Sequence, residues 1–108
     1  MTGLSWNLAD LRHCLDSGRI QWRKHALERM LERGISRAEV LASLRQGEII
    51  ASYPEDRPIP SALLHANQEP PLHVVAALDK ASATCYVITC YRPDAEHFGP
   101  DLKTRIKP

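Results

Sequence analysis

No apolar run in this chain of 108 residues approaches the ~20 residues needed to span a bilayer, which excludes a transmembrane helix. Cysteine is scarce: Cys14, Cys85 and Cys90 show no C-x-x-C spacing. With no secretory leader either, a disulfide framework is excluded, and free, mostly buried thiols in a reducing cytosol are expected. A large charge of one sign is also missing. The formal net charge is +1, too little to wrap duplex nucleic acid by charge alone, although basic residues concentrate between Arg12 and Arg45. The absence of a glycine-rich phosphate loop and of a G-x-S-x-G elbow removes the nucleotide-kinase and serine-hydrolase classes. Internal repeats and low-complexity stretches are absent too. An apolar content of 44% against 25% charged residues argues against disorder and for one soluble, cytoplasmic domain with a modest core.

The densest patterning lies in residues 21–35. Ala26, Leu27, Met30 and Leu31 share one side of a helix, while His25, Glu28, Arg29, Glu32 and Arg33 crowd the other. Gly34 supplies a left-handed stop, and Ser36 with Glu39 forms a capping box for the next helix. Upstream, Asn7 caps a helix running to about Ser17, with Trp6 placed to staple onto Leu11, and Gly18 ends it. Arg19 to Arg23 alternates like a short strand; helices follow over Lys24 to Arg33 and Arg37 to Gln46, the latter finishing at Gly47.

From Gly47 the period changes from 3.6 to 2. Glu48 to Tyr53 reads as a strand with Ile49, Ala51 and Tyr53 on one face. Pro54, Pro58 and Pro60 make the following stretch a stiff connection that carries Glu55, Asp56 and Arg57. Strands are expected over Ser61 to Ala66, Leu72 to Asp79 and Thr84 to Tyr91, joined by turns, so the sheet should be antiparallel. The fold class is α+β, with helices on one face of a four- to five-stranded, mainly antiparallel sheet. Residues 1–95 form the domain. Residues 96–108 form a polar tail that either folds onto the sheet or stays mobile.

Several side chains are candidates for chemistry. His25 and Arg29 are neighbours one helical turn apart and, with Arg33, suit a phosphate and a proton transfer; a charged helix face laced by weak ion pairs explains the same residues. His73 opens a strand and reads equally as a hydrogen-bonded structural group. Arg92 at a strand end, with Tyr53 or Tyr91 nearby, suits guanidinium–phosphate contact and base stacking, or a plain sheet edge. Glu55 and Asp56 lack a third ligand, His13 and Cys14 cannot converge on one ion, and Cys85 and Cys90, of opposite parity, face apart. No metal and no cofactor are expected.

Five blocks occur in order: His25 to Ile35, Gly47 to Ile50 with Tyr53 to Asp56, Pro58 to Ser61, Pro71 to Val75, and Ile88 to Asp94. Together they resemble an uncharacterised bacterial family of small domains of unknown function, which is similar to the RelE, ParE, BrnT and MqsR toxins. The resemblance implies a RelE-like fold and a toxin of a toxin–antitoxin system, a metal-independent mRNA endoribonuclease. It further implies an antitoxin partner of zinc-finger and helix-turn-helix character and an RNA substrate. In such a reaction His25 or His73 would be base or acid, Arg29 and Arg92 phosphate clamps, and Tyr53 or Tyr91 a stacking group, with Arg33 assisting RNA binding. The alternative is a non-enzymatic protein-interaction module that uses a helix face or an open sheet edge. Clustering of His25, Arg29, His73 and Arg92 in one concave patch would support the enzyme; wide separation would favour the module.

Overall fold

Capping chemistry sets where the helices begin in the computed structural model, which describes residues 4–94, 98–99 and 101–103. Asn7 accepts from the Asp10 backbone N–H while Asp10 accepts in return from that of Asn7, opening α1 (Leu8–Ser17). A short strand β1 (Ile20–Trp22) leads into α2 (Lys24–Arg33), which Gly34 ends at φ 65°. Ser36 and Glu39 make the expected box for α3 (Arg37–Gln46). Gly47 is required for a different reason than handedness. Its φ is −75°, but a Cβ there would lie 2.5 Å from the Ser43 carbonyl oxygen and 3.0 Å from that of His65, so the end of α3 meets the sheet backbone to backbone.

Four strands follow: β2 (Glu48–Tyr53), β3 (Ser61–Ala66), β4 (Leu72–Asp79) and β5 (Thr84–Tyr91). The sheet order is β1-β5-β4-β3-β2, open at both edges. Pairings among β2 to β5 are antiparallel, but β1 runs parallel to β5, with Ile20 opposite Cys85 and Trp22 opposite Val87. The sheet is thus mainly antiparallel, as expected, with β1–β5 as its parallel step. Short connections dictate antiparallel neighbours only for consecutive strands, and β1 reaches β5 across two helices and three strands.

All three helices lie on one face. Leu11, Cys14 and Leu15 of α1, Ala26 and Met30 of α2, and Val40 and Leu44 of α3 share a core with Ala62, Leu64, Val74, Ala76, Leu78, Cys85 and Val87. Trp6 joins the same core as Leu11. Leu31, expected on the buried side of α2, is 85% exposed. The helix presents a stripe only wide enough for Ala26 and Met30, with Leu27 half-buried at its margin.

Two bulges alter which side chains face the helices. In β5, Val75 pairs with Thr89 and Ala76 with Val87, so Ile88 is the extra residue. Cys85 and Cys90 consequently both enter the core, correcting the expectation that they face apart. Burial pushes the Cys85 thiol up to about 12, with Cys14 adding to the shift. In β2, Ile49 pairs with Leu64 and Ala51 with Leu63. That places Ile49 toward the helices and Ala51 away from them, rather than on one face.

The opposite face carries two cross-strand rows. At one end His65, His73 and Tyr91 stand side by side across β3, β4 and β5; at the other, Ser61 stands beside Ala77, which pairs with Tyr86. Phe98 covers the first row, 4.5 Å from the His73 ring and stacked at 6.1 Å on Tyr91. The described residues beyond Asp94 thus pack on the sheet, which explains why every residue of β3 is buried.

Candidate functional site

The row capped by Phe98 is held by a chain of hydrogen bonds. The His73 Nε2 lies 2.8 Å from the Leu102 carbonyl oxygen, which can only accept, so Nε2 carries the hydrogen. Nδ1 then accepts from the Tyr91 hydroxyl at 3.2 Å, and the His65 Nδ1 lies 3.1 Å from the same Nε2. His73 is fully buried and His65 nearly so. Desolvation holds the His65 imidazole below its ordinary range, the Glu48 carboxylate opposing that shift. This buried cluster ties the C-terminal segment to the sheet.

The remaining candidates are dispersed. The Arg29 Nη1 donates to Glu32 at 2.9 Å, and the Arg33 Nη1 to the Cys90 carbonyl oxygen at 2.7 Å. The Arg92 Nη2 donates to Glu39 at 2.5 Å, while its Nη1 reaches the Pro70 and Pro71 carbonyl oxygens at 3.4 Å each. That contact holds the Glu39 carboxyl below its usual range. Arg92 therefore locks the start of α3 to the β4 and β5 ends. Tyr53, half-buried, ends β2 opposite Ser61. His25, Arg29, His73 and Arg92 do not converge in one patch.

What does converge lies at the uncovered end of the sheet's second face. A cleft of about 500 Å³ opens between the β1–α2 junction and the proline-rich loop, lined by Arg23, His25, Asp56, Arg57, Pro58, Ile59, Ser61, Ala77 and Ile88. Its volume falls within the ~300–1,000 Å³ usual for ligand sites. Arg23 is placed by continuation of the parallel ladder, its N–H donating to the Val87 carbonyl oxygen at 3.2 Å, and its guanidinium lies 5.0 Å from the centre of the Tyr86 ring. Two residues on, in the first turn of α2, His25 is exposed and without a hydrogen-bond partner among the described residues.

The loop on the far side is pinned. The Trp6 Nε1 donates to the Pro60 carbonyl oxygen at 3.1 Å, and the Asp56 N–H to that of Tyr53 at 3.1 Å. The Arg57 Nη1 donates to the carbonyl oxygens of Glu55 and Asp56 at 3.1 and 3.3 Å, leaving its other guanidinium donors without partners among the described residues. Ser61 Oγ donates to Asp56 Oδ2 at 2.5 Å. The bulge at Ile88 turns that side chain into the cleft floor.

Of the residues given a catalytic or RNA-binding role from the sequence, His25 alone lines this cleft. Asp56 was weighed there only as a metal ligand, and Arg23, Arg57 and Ser61 were given no role. The available signal was a charged triplet held stiff between prolines, since pinned surface loops are where binding groups concentrate. Its proximity to His25 depends on β1 pairing with β5. In comparison with known proteins, residues 22–92 match a family described as a domain of unknown function (DUF4258). No curated protein and no solved structure matches the chain.

Proposed function

From the premise that this chain belongs to the DUF4258 family, we propose that it is a metal-independent endoribonuclease of the toxin type that engages RNA in the cleft between α2 and the proline-rich loop. The observation that carries the reading is that an exposed, unpartnered imidazole shares a cleft with two guanidinium groups, those of Arg23 and Arg57. Guanidinium forks suit the two non-bridging oxygens of a phosphodiester. The imidazole of His25 can both accept and donate a proton through its two ring nitrogens, which suits proton transfer. His25 takes the proton of the ribose 2′-hydroxyl, the 2′ oxygen attacks phosphorus, the bond from phosphorus to the 5′ oxygen breaks, and the leaving 5′ oxygen takes a proton from water. The products are a 2′,3′-cyclic phosphate and a 5′-hydroxyl end. His73, Tyr91 and Arg92 serve the scaffold in this scheme, and Arg29 and Arg33 lie outside the chemistry.

The dispersal of His73 and Arg92 favours a second reading, a protein-interaction module. It would use the open edge of β2, whose unpaired backbone groups suit an added strand, and an antitoxin is the natural partner under either reading.

Incubation of the purified chain with RNA in excess chelator separates the two. The nuclease reading expects cleavage with cyclic-phosphate ends, a loss of about a hundredfold or more in His25→Ala, and a further requirement for Arg23 and Arg57. An intact substrate under these conditions, or cleavage that survives in His25→Ala, leaves only the module. In cells, the nuclease reading expects arrest of growth on expression and relief by a co-expressed partner.

A further inference from the structure

Resting on that nuclease reading, we infer that Asp56, positioned by Ser61, makes the cleft selective for an unpaired guanine base. The wall formed by these two residues presents acceptors only. Ser61 is 3% exposed and its hydroxyl hydrogen is committed to Asp56 Oδ2 at 2.5 Å, so its oxygen retains only lone pairs. Asp56 is exposed, and Oδ1 has no partner among the described residues. An ionised carboxylate offers about four lone-pair sites, so Oδ2 too can accept a second hydrogen bond.

The Watson–Crick edges of the four bases differ in what they bring to such a wall. Guanine carries two adjacent donors, N1–H and the N2 amino group, which match two carboxylate oxygens. Adenine and cytosine each set an amino donor beside a ring-nitrogen acceptor, and uracil sets its one donor between two carbonyl oxygens. Only guanine avoids placing a lone pair against the carboxylate. Ile88, Ala77 and Ile59 give the base an apolar surface, while the other donors of Arg57 remain for phosphate or for guanine O6. Such recognition requires an unstacked base, so the substrate is single-stranded.

The test separates this inference from the nuclease reading by measuring binding without cleavage. Fluorescence anisotropy is recorded for the full chain with labelled short uridine oligomers, 2′-O-methylated throughout, carrying one central guanine, adenine, cytosine or uridine. The guanine oligomer is expected to bind about tenfold or more tighter than the others. Asp56→Asn, in an exposed loop, removes that advantage by losing the guanine contact and easing the repulsion that disfavours the other bases. Ser61→Ala weakens the preference, and Ser61→Thr restores it, as befits a positioning residue. Equal affinity for all four oligomers, or a guanine preference that survives in Asp56→Asn, overturns the selectivity and leaves the nuclease reading standing. Binding of none of them overturns both.

Discussion

The imidazoles of His25 and His73 should respond to alanine in opposite ways, and His73→Ala is the sharper case. The substitution removes the acceptor of the Tyr91 hydroxyl and the donor to the Leu102 carbonyl oxygen. Both bonds are only partly buried, so each one lost costs about 0.5–1.5 kcal/mol. The ring also packs edge-on against Phe98 at 4.5 Å and His65 at 5.1 Å, and the void it leaves adds to the loss. A total of about 3–5 kcal/mol is expected, a large fraction of the ~5–15 kcal/mol of a typical domain. For a chain of this size it corresponds to a fall in Tm of at least about 12 °C. Thermal and urea denaturation followed by circular dichroism measure it. His25→Ala, on an exposed first turn, should instead stay within about 0.5 kcal/mol of the parent while abolishing RNA cleavage. A His73→Ala chain as stable as the parent would refute the assignment of that residue to the scaffold, and with it the restriction of the chemistry to His25.

Two further outcomes follow from the same geometry. The lowered His65 imidazole binds a proton more weakly folded than unfolded, so its contribution to stability is full above the ordinary histidine value of about 6.5 and is lost as pH falls through the depressed folded value. Urea midpoints measured across that window should decline in the parent and decline less in His65→Gln. Gly47→Ala forces a methyl carbon against two backbone oxygens that cannot rotate away. A marked drop in urea midpoint is expected, whereas Leu31→Lys, at the most exposed large apolar side chain, should shift it by no more than about 0.5 kcal/mol.

The sequence by itself determined the bounds of three helices and four strands, and placed β1 to within a residue at each end, because caps, stop glycines and the change of period from 3.6 to 2 are local signals read within a few residues. It also marked His25 as a candidate. Only the tertiary structure decided that β1 lies parallel to β5, that bulges at Ile50 and Ile88 exchange the faces of their neighbours, and that His73, Tyr91 and Arg92 are spent on the scaffold. Those facts arise from pairings between residues far apart in the chain, and a one-residue slip in such a pairing reverses every side chain beyond it. The cleft that joins His25 to a loop more than thirty residues away belongs to the same class. Residue types announce what a side chain can do, and the packing of distant segments decides which of them is left free to do it.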